Sequence, residues 1–134
     1  MRITRFEDIE SWQMARDLTR TIYRIVKAHH FSKDYSLKDQ ICRASVSIMS
    51  NIAEGFNAGS NAEFARFLGY AQRSCAEVQA HLYVARDQDY ITSETFNNTY
   101  ESISKTSSKI GAFIKYLKQQ KTLNKELRTR NEEQ

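Results

Sequence analysis

Residues 40–56 read Gln-Ile-Cys-Arg-Ala-Ser-Val-Ser-Ile-Met-Ser-Asn-Ile-Ala-Glu-Gly-Phe. From Leu37 just ahead of it, apolar residues recur at Ile41, Ala44, Ile48 and Ile52, at spacings of 4, 3, 4 and 4. That spacing marks one face of a helix. The flanks carry Ser45, Ser47, Ser50 and Asn51, where a surface helix usually carries Lys and Glu. Short side chains let neighbouring helices approach closely, so the stretch reads as the most buried helix of a bundle. Gly55 follows the last periodic turn and is expected to supply a left-handed C-cap.

Working outward, the chain of 134 residues is the size of one domain with a substantial core. It contains no proline and only four glycines, and it lacks strand-like alternation. This is the composition of an all-α protein. The first residues, Met-Arg-Ile-Thr-Arg, have no apolar signal region, and no apolar run is long enough to span a bilayer, so a cytoplasmic location is expected. Cys42 and Cys75 fall inside helical segments and are expected to be reduced, half-buried thiols.

Helix one is expected over residues 7–29, with a seam of Ser11, Ala15, Leu18, Ile22, Ile25 and Val26, Trp12 beside it, and Phe6 packing on the first turn. Its other flank carries Arg16, Arg20, Arg24 and Lys27 at spacings of 4, 4 and 3, a basic row along about three turns. Such a row is either a solvated face or a surface for an anionic partner. His29 to Tyr35 is a polar connection. Ser36 is expected to N-cap helix two, with Asp39 in the capping-box position. Ser60 and Glu63 form a second capping box, opening a helix to about residue 88 with a seam of Phe64, Phe67, Leu68, Ala71, Cys75, Val78, Leu82 and Ala85. Arg66 and Arg73 lie one heptad apart, away from that seam. Phe56 in the turn before this helix, with the off-seam Tyr70, Tyr83 and Val84, suggests a second contact surface and hence an oligomer. The last helix begins at Thr92 or Ser93, with a heptad seam of Phe96, Tyr100, Ile103, Ser107, Ile110, Ile114 and Leu117.

Beyond Leu117 the same register reaches Lys121, Asn124 and Arg128, so the core should end there. The expected organisation is an antiparallel up-down-up-down four-helix bundle over 1–120 and a basic tail over 121–134, frayed or disordered. The net charge is +4, and residues 105–134 alone carry eight Lys or Arg against three Glu, a net +5. Lys118, Lys121 and Lys125 belong to this basic end.

Catalytic and metal-binding constellations are missing. There is no Gly-rich phosphate loop, no His-x-x-x-His, no Glu-x-x-His and no Cys-x-x-Cys. No catalytic residue, metal ligand or cofactor is therefore assigned, and the protein is not expected to be an enzyme. Glu54, near the end of the polar stretch from Ser50, is expected to pair with Arg43 or with an arginine of helix three. Together with Asn51 it would form a structural polar network that sets helix register.

The stretch Ser47-Ile48-Met49-Ser50-Asn51-Ile52-Ala53-Glu54-Gly55-Phe56, preceded by Arg43-Ala44-Ser45-Val46, closely resembles the signature of the bacterial four-helix-bundle family encoded in ribosomal-RNA intervening sequences, also labelled an S23 ribosomal protein family. Phe6-Glu7-Asp8-Ile9 with Trp12, Glu63-Phe64-Ala65-Arg66-Phe67-Leu68 and Ser74-Cys75-Ala76-Glu77 match it as well. The resemblance covers roughly residues 6–120. It departs at Met49, where the family usually has proline, so helix two should be straighter here. The resemblance implies homo-oligomers, with a pentameric ring as the expected form. A related branch, the accessory proteins of diversity-generating retroelements, is similar in fold and binds nucleic acid together with a reverse transcriptase.

The function expected on these grounds is non-enzymatic binding of nucleic acid, RNA foremost, by a homo-oligomer. Arg16, Arg20, Arg24, Lys27, Arg66, Arg73 and the tail lysines would meet phosphates. The alternative is an oligomeric protein–protein interaction scaffold without a nucleic-acid role. No membrane partner is expected.

Overall fold

The structure is a computed structural model that describes the backbone over residues 2–133 and the side chains over 2–120 and at Arg130. Four helices follow one another: α1 (Glu10–Ile25), α2 (Tyr35–Phe56), α3 (Asn61–Asp87) and α4 (Ser93–Glu133). Consecutive helices pack together and α1 closes against α4, which leaves α1 and α3 diagonal, as in an up-down-up-down four-helix bundle. The periodic seams form the core. Ile22, Ile41, Ile48, Ile52, Leu68, Leu82, Ile103 and Ile110 are all fully buried. Leu117 is the last buried position among the described residues. The side chains of 121–129 lie outside the description, and with them the expected frayed tail and the candidates Lys121 and Lys125.

The helix boundaries differ from the periodicity at three places. A 3-10 turn at Phe6–Asp8 precedes α1, and Phe6 meets Trp12 edge-on at 5.1 Å. α1 stops at Ile25, and a second 3-10 turn, Phe31–Lys33, buries Phe31 beneath Tyr90 with ring centroids 5.3 Å apart. α2 is capped by Asp34 rather than Ser36. The Leu37 amide donates to Asp34 Oδ1 at 3.1 Å, while the Tyr90 hydroxyl donates to Oδ2 at 3.0 Å. One carboxylate thus ends the α1–α2 connection and ties it to the α3–α4 connection. It also raises the Tyr90 hydroxyl's pKa. Residue 36 is the apparent cap by spacing alone, but only Asp34 has both oxygens engaged.

Gly55 does not act as a left-handed cap. It lies inside the last turn of α2, buried, and a Cβ placed there would meet Phe67 Cβ at 2.8 Å and Phe64 Cδ1 at 2.9 Å. Its missing side chain admits α3. The left-handed positions are Gly59, at φ 88°, and Asp89, at φ 59°, in the two connections. α2 continues unbroken through Met49, whose side chain packs on the core edge.

Polar residues fasten the seams. Ser74 Oγ donates to Ser47 Oγ at 2.9 Å across α3 and α2, and the Asn51 amide donates to the same hydroxyl at 3.0 Å and to the Ser47 carbonyl at 2.8 Å. Thr19 reaches the Ser45 carbonyl on α2, and Gln72 and Gln79 reach Ser107 and Ser104 on α4. In α4 the buried set also includes Thr99 and Thr106, which a strictly apolar heptad passes over. The Thr106 hydroxyl is satisfied by the Ser102 carbonyl at 2.8 Å.

Candidate nucleic-acid interface

The basic row forms because α1 buries Ser11, Trp12, Ala15, Leu18 and Ile22, and this turns Arg16, Arg20 and Arg24 outward on the remaining face. At 1.5 Å of rise per residue, one cation follows another about every 6 Å. Lys27 continues the row just beyond the helix and is also exposed. Arg20 approaches Asp17 at 3.5 Å, an exposed pair of small worth. Arg16 stands over the Trp12 ring at 5.9 Å. Among the described residues, no carboxylate pairs with Arg16, Arg24 or Lys27. Tyr23, 46 % exposed, stands beside the row. The periodicity reading missed it, although its place seven residues after Arg16 was the available signal.

A second cationic group lies on α3. Arg66 and Arg73 flank the Tyr70 ring at 6.0 and 5.6 Å, and Arg66 also bonds Glu63 at 2.7 Å. Because α1 and α3 are diagonal, this group and the α1 row do not form one surface. Lys118 on α4 is exposed.

The expected oligomer patch is likewise divided. Tyr83 packs on α4 against Phe96 at 4.9 Å and Tyr100 at 5.8 Å, with Arg86 over Phe96 at 4.2 Å. Tyr70 packs instead on Phe67, 5.8 Å away, thirteen residues before Tyr83, or about 20 Å along the helix. Val84 is 44 % exposed, and Phe56 is half-buried against Phe64.

The expected network of Arg43, Asn51 and Glu54 does not form. Arg43 pairs with Asp39 on its own helix at 2.9 Å, both side chains being largely exposed. Glu54 is exposed and makes no ion pair among the described residues. The i,i+4 carboxylate on the same helix is nearer to Arg43 than a residue eleven positions on can be. Asn51 instead joins Ser47 and Ser74.

Both cysteines are free. Burial pushes the Cys75 thiol up to about 12, and the half-buried Cys42 is raised for the same reason. Among the described residues, no group of three or more His, Cys, Asp or Glu is placed to hold a metal ion, and no helix is long and apolar enough to cross a membrane.

Residues 7–112 match the family described as 23S rRNA-intervening sequence protein. The chain belongs to this family. A crystal structure of a protein of unknown function from the S23 ribosomal protein family, from Bacteroides thetaiotaomicron, superposes with a TM-score of 0.72 at 23 % identity, covering 78 % of this chain and 98 % of that one. At that identity the likeness establishes the fold. No curated protein matches the chain. The matched segment of this intervening-sequence protein contains the α1 row, the Gly55 crossing and the Ser47–Ser74 contact, and it ends at residue 112, before Lys115 and Lys118.

Proposed function

We propose that this member of the intervening-sequence family is a non-enzymatic, cytoplasmic nucleic-acid-binding protein, with RNA as its first target, that works as a homo-oligomer. One observation carries the reading. Arg16, Arg24 and Lys27 stand exposed on one line of α1 with no carboxylate to neutralise them among the described residues. Like charges one turn apart cost a few tenths of a kcal/mol per pair in the free protein, and a phosphate backbone removes that cost on binding. Oligomerisation, with a pentameric ring as the form implied by the family resemblance, repeats the row and multiplies its field. Contacts made through phosphates are weakly sequence-specific and strongly salt-dependent. The free thiols Cys42 and Cys75 suit a reducing compartment.

The test is a titration of nucleic-acid-free protein with structured RNA at several salt concentrations, with light scattering on the same sample. The expected result is binding that weakens steeply with salt and is abolished in Arg16→Glu/Arg20→Glu/Arg24→Glu, with the fold and the oligomer mass retained. Unchanged affinity in that variant removes α1 from the interface. A clean oligomer that ignores RNA at low salt makes the protein scaffold the better reading.

A further inference from the structure

At the end of the bundle where the chain begins, two clefts share a wall. The first, of about 380 Å³, lies between Ile3, Ser11, Phe113 and Tyr116, with Glu10 and Lys109 also lining it. The second, of about 590 Å³, shares Ile3, Phe113 and Tyr116 and adds Arg2, Phe56, Phe64 and the start of α3. Both fall in the size range of small-molecule sites.

Three features of these clefts point to a ligand. Ser11, which lines the first cleft, is 1 % exposed, and its buried hydroxyl makes no hydrogen bond. A buried hydroxyl without a partner is an exception that calls for one. Aromatic rings run in contact from Phe56 to Phe64 (6.1 Å), Phe113 (5.0 Å) and Tyr116 (6.2 Å). Tyr116 ends the chain of rings 54 % exposed, a flat apolar surface on which a planar ring can stack. The charge is also one-sided. Glu10 is spent on Lys109 at 2.9 Å, whereas Arg2 has no ion-pair partner among the described residues. Just after Arg2 and Ile3 the chain is anchored, since Asp8 Oδ2 accepts from the Thr4 amide and hydroxyl at 3.1 Å and from the Arg5 amide at 3.3 Å.

We propose that the two clefts form one site for a nucleoside monophosphate unit, either a free nucleotide or the terminal residue of an RNA. The base stacks on the exposed Tyr116 ring, edge-on to Phe113, and takes the Ser11 hydroxyl as its hydrogen-bond partner, and the phosphate lies toward Arg2. The site uses no residue of the α1 row, so it stands or falls separately from the proposed phosphate-binding face.

The test uses the full chain, labelled with nitrogen-15 and titrated with AMP, adenosine, and a short RNA bearing either a 5′-phosphate or a 5′-hydroxyl. AMP should shift the amides of Ile3, Ser11, Phe113 and Tyr116. Ser11→Ala and Tyr116→Ala should each weaken AMP at least tenfold, and Arg2→Ala should lower AMP to the level of adenosine. Arg2 is exposed, so that variant tests the phosphate half without disturbing the core. Arg16→Glu/Arg20→Glu/Arg24→Glu should leave the AMP titration unchanged. Shifts at the same amides with the 5′-phosphorylated RNA, but not with AMP, would support the site and assign it to RNA ends. The proposal is overturned if neither ligand shifts these amides at millimolar concentration, or if Tyr116→Ala and Arg2→Ala bind AMP as the parent does.

Discussion

The α2–α3 seam and the α1–α4 seam both use small residues, with opposite results. Along α2 and α3, Gly55 leaves room for Phe64 and Phe67, and Ser47 and Ser74 share a hydrogen bond, so the two backbones close together. On the other side, Ser102, Ser108 and Ala112 of α4 line open clefts together with Glu10, Met14, Asp17 and Thr21 of α1. Clefts of about 530 and 190 Å³ remain there, next to the Ser11 cleft, and one ion pair, Lys109 with Glu10, bridges them. Small residues close a seam only where the facing helix is also small or apolar at the crossing. Opposite long polar side chains they leave grooves, and the candidate ligand cleft lies in this looser half.

The largest effect should come from blocking the tight seam. Gly55→Val places atoms where Phe67 and Phe64 already lie, and a loss of about 3 kcal/mol is expected in urea unfolding. Gly69, where an added Cβ meets nothing within 4 Å, is the control. Gly69→Ala should stabilise the protein by about 0.5–1 kcal/mol. Equal costs at the two glycines would show that α2 and α3 are not in close contact at Gly55.

Next comes the thiol in the same seam. Cys75 has its pKa raised from 9.0 to about 12 by burial, so the folded chain keeps this proton while the unfolded chain releases it. Its contribution is fully present below pH 9 and is lost as pH rises through about 12. The stability gap between the parent and Cys75→Ala should therefore shrink by roughly 1.5 kcal/mol between pH 8 and pH 10. A gap that stays constant would place the thiol in contact with solvent.

The smallest effects separate the two polar bridges. Ser74→Ala removes the contact with Ser47 and should cost about 1 kcal/mol. Lys109→Ala breaks a pair whose side chains are 47 and 66 % exposed, and should cost less than about 0.5 kcal/mol. A reversed order would make the α1–α4 side the better fastened half.

The seams of α2 and α3, the basic row on α1 and the Ser60 cap, whose hydroxyl accepts from the Glu63 amide at 3.2 Å, were all legible in the sequence, because each rests on spacing within one helix. A residue's face on its own helix follows from 3.6 residues per turn, whatever packs against it. Which helix it meets does not. Gly55 resembled a cap until α3 was seen to cross it. Arg43 and Glu54 looked like partners until Asp39 proved nearer. Tyr70 and Tyr83 looked like one patch until each was found against a different neighbour. The cleft around Ser11 draws its walls from the N-terminal segment, α1 and α4, more than a hundred positions apart in the chain from Ile3 to Tyr116. For this protein, local periodicity alone determined the helices, their buried faces and the charge they present. Glycine's role, the polar partners and the clefts were decided only by the tertiary structure, because each depends on distances between segments that no spacing along the chain encodes.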